Sequence, residues 1–532
     1  MRRGRRDTGS VRAVLRAYVT QDEPSALPAV SRRRTTLLNL FFSYASMGLV
    51  LVQGIVLVPL YVAKVPLALY GAWLATGNVL TWLEMVDPGT GDVIRQRVAR
   101  LYGANDRAAL ARAIGTGLRL SFVFALLPML AWPLAPSVAR FVNLTGADAA
   151  SLQTSFRVGL VGVTLSLASY GFSAVSNGLQ LAYGSGVAFI AISVLGIVVT
   201  IALLVGGAGL VAIPLGLALR GLLMTASFAW IVLRWKRKHL PEALTWDADE
   251  ARGVLSLSVA TFTSRIGTAL LDRLDALLTS HVHNNRETLV YTLTGRALDP
   301  VRMLTVSLPT ALMPGLAHLS GTGEKAKIAE TVALLTRVTG TVAAVCAGSV
   351  AALDAIFVRV WVGPRMFGGA GLAALLALSV PLSVFSVSLN RVAYALGAIR
   401  QASWVALAEA VVKVPLQYVL LRTLGLPGLP LAAAIGSLSV SGWYLPTVVA
   451  RQVGEAPRVH IARGLRNVAR VVGAVVLGRG VHEVLARLPI AWSWASFIVA
   501  AAVVGAGFGA LGLALDATLR EALVARLRAR SR

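Results

Sequence analysis

Apolar residues come in long blocks, without the period of two that marks a half-buried strand, and each block reaches the roughly 20 residues that a bilayer-spanning helix needs. The blocks lie at 36–63, 68–88, 108–138, 152–177, 185–205 and 210–233, and then at 253–281, 287–317, 326–357, 370–397, 403–424, 429–450, 468–488 and 491–515. The pattern predicts an all-α integral membrane protein with about fourteen transmembrane helices.

The polar intervals repeat along the chain. Gly103 to Leu120 and Gly321 to Val338 read alike: a glycine, an acid and a base in register (Asp106 and Arg107; Glu324 and Lys325), and an apolar run that carries Arg119 or Arg337. Further landmarks recur at nearly the same offset: Tyr70 with Tyr291, Asn177 and Gly184 with Asn390 and Gly397, and Gly209-Leu210 with Gly428-Leu429. Six blocks per repeat is an even number, so the second repeat enters the membrane from the same side as the first. The expected architecture is two parallel-repeat six-helix lobes around a central cavity, plus two extra C-terminal helices. The division expected is a basic cytoplasmic tail at 1–35, an N-lobe at 36–236, a linker at 237–252, a C-lobe at 253–451, and helices 13 and 14 with a basic tail at 452–532.

Composition agrees with the membrane reading: 56% of the 532 residues are hydrophobic and 14% are charged, and mean hydropathy is +0.72. The net charge of +26 could suggest a nucleic-acid partner, but its distribution argues otherwise. Of 50 basic residues, 32 fall in one set of alternate loops and tails and six in the other. That is the positive-inside pattern, and it places both termini in the cytoplasm. No nucleic acid is expected as partner. Cys346 is the sole cysteine, so no disulfide forms within one chain.

Nothing points to an enzyme, a metal or a cofactor. There is no GxxxxGK[ST] loop, and the six histidines include no HExxH. His281 and His283 fall in an expected outside loop, where solvation is the simpler reading. The informative residues are ions within the apolar blocks, because a charge at the bilayer centre costs at least about 2.5 kcal/mol and tends to face a cavity or a partner.

In the seventh block Arg265, Asp272 and Asp275 share one helical face, while Arg273 points elsewhere. In the eighth, Asp299 is within i,i+3 reach of Arg296 and Arg302, and Pro300 predicts a kink. Arg119, Arg157, Arg220, Arg337 and Arg391 add cations, some of which are expected to snorkel or to lock helices together. Glu409 and Lys413, four residues apart, are expected to neutralise each other. Glu84 and Asp87 end the second block, with a terminator at Asp87-Pro88-Gly89. Arginine forks suit diphosphate oxygens, so the excess of cations points to an anionic substrate such as a lipid diphosphate.

Five segments carry a family resemblance: LYGAWLATGNVL from Leu69, DPGTGDVIRQRVARLYGANDR from Asp87, LLDRLDALL from Leu270, VYTLTGRA from Val290 and FVRVWVGP from Phe357. The chain resembles the Wzx-type polysaccharide flippases of O-antigen and exopolysaccharide biosynthesis. They belong to the multidrug/oligosaccharidyl-lipid/polysaccharide (MOP) exporter superfamily, with the lipid II flippases and the multidrug and toxin extrusion (MATE) antiporters. The resemblance implies alternating access that moves an undecaprenyl-diphosphate-linked oligosaccharide across the bacterial cytoplasmic (inner) membrane. Partners implied are that lipid-linked anionic oligosaccharide, membrane lipid, and a polysaccharide polymerase or assembly proteins.

Arg265, Arg296 and Arg302 are the expected diphosphate contacts, with Asp272, Asp275 and Asp299 as counter-charges or ion-coupling groups. A cation-coupled, MATE-like antiporter of drugs or metabolites and a lipid II flippase are the alternatives. Two departures weigh against them: the first span has no acid, and the first two spans have no arginine. Pro88 also stands where family members usually show an apolar residue.

Overall fold

The computed structural model describes residues 32–84, 89–240, 242, 244–303, 305, 309, 312, 316, 319, 320, 324–516 and 520. For 32–40, 257–273 and a few single positions, Trp82 and Glu84 among them, it describes the backbone alone. The described residues are helical wherever an apolar block was expected, and ten helices among them are long and apolar enough to cross a membrane.

The first half comprises α1 (Arg32–Lys64), α2 (Leu67–Glu84), α3 (Thr90–Gly103), α4 (Arg107–Leu126), α5 (Ala135–Phe141), α6 (Gly146–Gly178), α7 (Ala182–Val205) and α8 (Ala212–His239). A 3-10 stretch, Leu127–Leu134, joins α4 to α5, with Pro128 and Pro133 withholding the amide donors a regular helix would use. Next come α9 (Ala248–Val282), α10 (Asn285–Gly295), α11 (Lys325–Val362), α12 (Ala370–Ala395), α13 (Ile399–Leu424), α14 (Gly428–Gly436) and α15 (Gly442–Val453). The last two helices are α16 (Pro457–Arg487) and α17 (Trp494–Leu515).

Helix starts follow local chemistry. Asp106 caps α4 by accepting the Ala109 N–H at 3.0 Å, and Asn284 caps α10 by accepting that of Glu287 at 2.8 Å. The polar run 90–103, expected as loop, is the amphipathic helix α3, which buries Ile94, Val98 and Tyr102.

The duplication holds at the level of backbone. Helices begin at Leu67 and Asn285, and at Arg107 and Lys325, each pair 218 apart. The turns after α6 and α12 share one hydrogen-bond pattern: Leu179, Gln180 and Leu181 donate to Val175, Asn177 and Ser176, as Leu396, Gly397 and Ala398 do to Val392, Tyr394 and Ala393. Gln180 and Gly397 both take the left-handed conformation, with φ of 61° and 88°. The counterpart of Gly397 is therefore Gln180, not the expected Gly184. Likewise Thr288 occupies the place of Tyr70, one turn before Tyr291, so these two sequence pairings shift by about one turn.

Packing repeats as well: α1 lies on α7 as α9 lies on α13, and α6 lies on α8 as α12 lies on α14 and α15. The extra helices α16 and α17 pack on α11. A Cβ at Gly478 would overlap the Gly348 carbonyl, and one at Gly348 would overlap the Phe508 ring, so glycine permits the close approach of α16 and of α17 to α11.

Candidate functional site

The segments at one end of the bundle, 95–112, 234–252 and 451–470, are rich in bases; the loops around 141–146, 283–285 and 363–369 are poor in them. The halves meet closely at the base-poor end. Asn285 donates its side-chain N–H to the Val142 carbonyl at 2.9 Å, and Ser280 donates to the Asn285 side-chain oxygen. The Asn143 amide donates to the His281 carbonyl at 3.3 Å, while the His281 ring stacks on Phe141 with centroids 4.2 Å apart. His283 bonds the Leu421 carbonyl at 2.9 Å. Both histidines are exposed, as expected of a solvated loop, and each also bonds a carbonyl of a distant element.

A Cβ at Gly71 would overlap the Asn285 carbonyl, so only glycine lets α2 and α10 come this close. Beneath these contacts one apolar cluster joins both halves, with Leu57, Tyr61, Tyr70 and Trp73 packed with Leu289, Leu293, Val358 and Trp361. Trp361 is buried and donates its indole N–H to the Ile55 carbonyl at 2.9 Å.

The second half encloses a polar cluster. Glu409, Lys413 and Gln417, spaced by four, lie along one face of α13, which packs on α9. Asp275 of α9 accepts from Gln417 at 2.7 Å and from the Tyr291 hydroxyl at 2.6 Å. The Lys413 ammonium lies 3.9 Å from the same carboxylate. Glu409 accepts from Ser437 at 2.6 Å and from Ser441, both in the π-helical stretch Ser437–Ser441 that separates α14 from α15. Widened turns of this kind often mark functional positions. Lys413 thus faces Asp275 across the helix contact and Glu409 is held by hydroxyls, where the spacing alone suggests a simple i,i+4 pair. Glu409 and Lys413 are 6% and 7% exposed, so both charges depend on these partners.

The Arg296–Asp299 pair forms as the spacing predicts, at 2.9 Å, across the 3-10 turn Arg296–Leu298 just before Pro300. Both residues line a cavity of about 410 Å3 between α1, α11, α17 and the continuation of α10. Its other walls include Ile55, Phe357 and Phe497, so an ion pair stands beside an apolar crevice bordered by the exposed Val50 and Ile55 of α1. Arg302 is exposed, and Asp299 pairs with Arg296 rather than with it.

Asp354 of α11 lines the same cavity, is 2% exposed, and has neither oxygen hydrogen-bonded among the described residues. The sequence reading missed it, although a lone acid in the run AALDAIF was the available signal.

Of the expected site residues, the structure joins Arg296 to Asp299 and sets Asp275 apart in the Lys413 cluster. The side chains of Arg265, Asp272, Arg273 and Glu84, together with Asp87, Pro88 and the tail 1–31, lie outside the described residues. Arg157 and Arg220 lock helices, with their guanidiniums 5.8 Å from the Trp132 ring and 5.4 Å from the Phe189 ring.

The linker is strapped to the base-rich end of the first half. Arg107 donates to the His239 carbonyl at 2.8 Å and Arg119 to that of Leu244 at 3.2 Å, while Asp247 lies 3.3 Å from Arg112. Arg97 forks onto both Glu250 oxygens at 2.8 and 2.7 Å, and those bonds raise its pKa. Asp247 caps α9 by accepting the N–H groups of Asp249 and Glu250. Its pKa is lowered by the Glu250 bond first, then by the Asp249 bond and Arg112.

Residues 118–365 match the family model described as polysaccharide biosynthesis protein. No curated protein sequence matches the chain. Among solved structures, the lipid II flippase MurJ in an inward closed conformation is similar at a TM-score of 0.62 and 13% identity, covering 89% of this chain and 98% of that one. An inward-facing multidrug resistance MATE family transporter of the MOP superfamily is similar at 0.60 and 15% identity, covering 78% and 96%. An outward-facing MATE transporter of the same superfamily gives 0.55 and 15%, covering 81% and 96%. At these identities the likeness is one of fold. The chain is an all-α, multi-pass membrane protein that shares its fold with the MurJ and MATE transporters, and its residues 118–365 match a polysaccharide biosynthesis family model.

Proposed function

We propose that this protein is a flippase that carries an undecaprenyl-diphosphate-linked oligosaccharide across the bacterial cytoplasmic membrane for polysaccharide export. In this reading the base-rich end and both termini are cytoplasmic, and the lobes, 36–236 and 253–451, rock so that the α2–α10 contact opens and closes. The structure then represents a state closed toward the outside. The observation that carries the reading is the Arg296–Asp299 pair beside an apolar crevice, in a chain matching a polysaccharide biosynthesis family. Arg296 is about 12 residues, or roughly 18 Å, along the helix from the base-poor loop, near mid-membrane. An arginine there can exchange its aspartate for a diphosphate while a polyprenyl tail stays in the apolar layer.

Arg265 and Arg302 are the further diphosphate contacts in this proposal, and Asp272, Asp275 and Asp299 the counter-charges, with an ion gradient as energy source. Asp354 joins the acids available for coupling. A polysaccharide polymerase or assembly proteins would receive the product. The test is transport of a fluorescent undecaprenyl-diphosphate oligosaccharide by the folded protein in vesicles; a rate no higher than in empty vesicles contradicts the reading.

A second reading, the cation-coupled antiporter, draws on the buried Asp275–Lys413 cluster and the MATE-like fold. Cellular resistance to organic cations that is abolished by Asp275→Asn would favour it, and flipping of lipid II in the same vesicles would redirect the substrate.

A further inference from the structure

The base-rich end of the two extra helices holds a cavity of about 640 Å3 against α11. Five arginines line it: Arg337 of α11, and Arg458, Arg463, Arg466 and Arg470 of α16. Because α16 begins at Pro457, Arg458, Arg463 and Arg466, expected in a loop, are instead set along a helix; steps of three and four bring Arg463, Arg466 and Arg470 to one face, with Arg458 two turns before Arg466.

Two carboxylates answer them among the described residues. Glu455 takes Arg463 at 2.9 Å, and Asp516 takes Arg470 at 3.4 Å and Arg337 at 3.9 Å. Five guanidiniums against two carboxylates leave three positive charges in excess. Arg458 and Arg466 have no acidic partner among the described residues.

A second cavity, of about 480 Å3, continues from the first and shares Arg466 and Arg470 with it. Its remaining walls are almost wholly apolar, with Gly473, Leu477, Phe508, Leu511 and Leu515 among them. From Arg466 to Leu477 the groove runs about 16 Å along α16. A phosphate-binding mouth thus opens into an apolar trough of acyl-chain length. A free phosphate uses only the mouth, whereas an amphiphile uses both.

We propose that this paired site binds an anionic phospholipid of the leaflet at the base-rich end, with its headgroup phosphate among Arg458, Arg466 and Arg470 and an acyl chain along Gly473 and Leu477. The excess of three charges favours a lipid with more than one negative charge, such as a diphosphatidylglycerol. The bound lipid would join α16 and α17 to α11, giving the two extra helices a role in seating the bundle in an anionic leaflet. The site is independent of the transport substrate.

The test is lipid binding to the full-length protein, measured by native mass spectrometry and by the shift in melting temperature. The probes are diphosphatidylglycerol, phosphatidylglycerol, phosphatidylcholine, inorganic phosphate and undecaprenyl phosphate. Wild type is expected to hold the anionic phospholipids and gain thermal stability from them, and to gain none from phosphatidylcholine or inorganic phosphate. Arg458→Gln with Arg466→Gln removes two headgroup contacts without breaking a described ion pair, and should weaken binding about 30-fold. Arg451→Gln, outside the cavity, should not.

A Cβ at Gly473 meets nothing within 4 Å, so Gly473→Leu can fill the trough without a clash and should also lower lipid binding. Equal binding by wild type and the double arginine variant would overturn the proposal. So would inorganic phosphate stabilising as well as lipid, which would make the site one for soluble anions. Preference for undecaprenyl phosphate would overturn the phospholipid assignment.

Discussion

Asn285 donates to the Val142 carbonyl at 2.9 Å, and this bond joins the start of α10 in the second half to the end of the α4–α5 arm in the first. Residues 218 positions back from Asn285 begin α2, so the contact lies close to the axis relating the repeats. If transport requires the halves to part here, fixing them stops it. In a Cys346→Ser background, Asn143→Cys with His281→Cys should cross-link with a short bifunctional thiol reagent. Transport should then fall to the background of empty vesicles and recover when a cleavable linker is reduced. Cross-linked protein that still transports would show that this end does not open.

Gly71→Val places side-chain atoms where the Asn285 carbonyl stands. Overpacking of this kind costs about 1–3 kcal/mol. The variant should melt at a lower temperature and show a weaker Asn143–His281 cross-link, because the strain is relieved by moving α2 and α10 apart. An unchanged cross-link yield would mean that α2 adjusts within its own half.

Lys413→Met should destabilise the protein by about 3 kcal/mol, the low end for breaking a buried ion pair. Asp275 keeps the Tyr291 and Gln417 bonds in the variant, which softens the loss. Adding Asp275→Asn removes the uncompensated charge and should restore part of the stability, as a double-mutant cycle in thermal unfolding would record. Additive losses would show that the two groups do not interact.

How much of this was legible in sequence depends on the range of the interaction. The apolar blocks and the Arg296–Asp299 spacing are local, and the structure keeps both. The pairings of Tyr70 with Tyr291 and of Gly184 with Gly397 followed residue identity, whereas the repeat conserves backbone geometry: Gln180 tolerates a left-handed turn that glycine makes in the second half. Glu409 and Lys413 were paired from spacing alone, because nothing local announces that α13 meets Asp275 of α9. His281 and His283 looked like loop residues for the same reason; their partners Phe141 and Leu421 stand about 140 residues away.

The linker strap titrates at low pH. Asp247 has a folded-state pKa below its unfolded value near 3.8, so its stabilisation is fully present above that value and is lost as pH falls through the lowered one. A spin label on Trp246→Cys in the Cys346→Ser background should therefore gain mobility below about pH 4. Asp247→Asn keeps a capping oxygen but no titratable charge, and should remove the step. A step of equal size in that variant would assign it to another acid.

The central claim is that Arg296 contacts the diphosphate of a lipid-linked oligosaccharide during transport. The direct measurement is the rate of flipping of fluorescent undecaprenyl-diphosphate oligosaccharide in vesicles containing wild type, Arg296→Ala, or Arg296→Ala with Asp299→Ala. The account predicts a loss of at least about tenfold in both variants, the scale of one charged hydrogen-bond pair to a ligand. Removing Asp299 as well should not restore the rate. Wild-type flipping in either variant, with the protein folded, would contradict it.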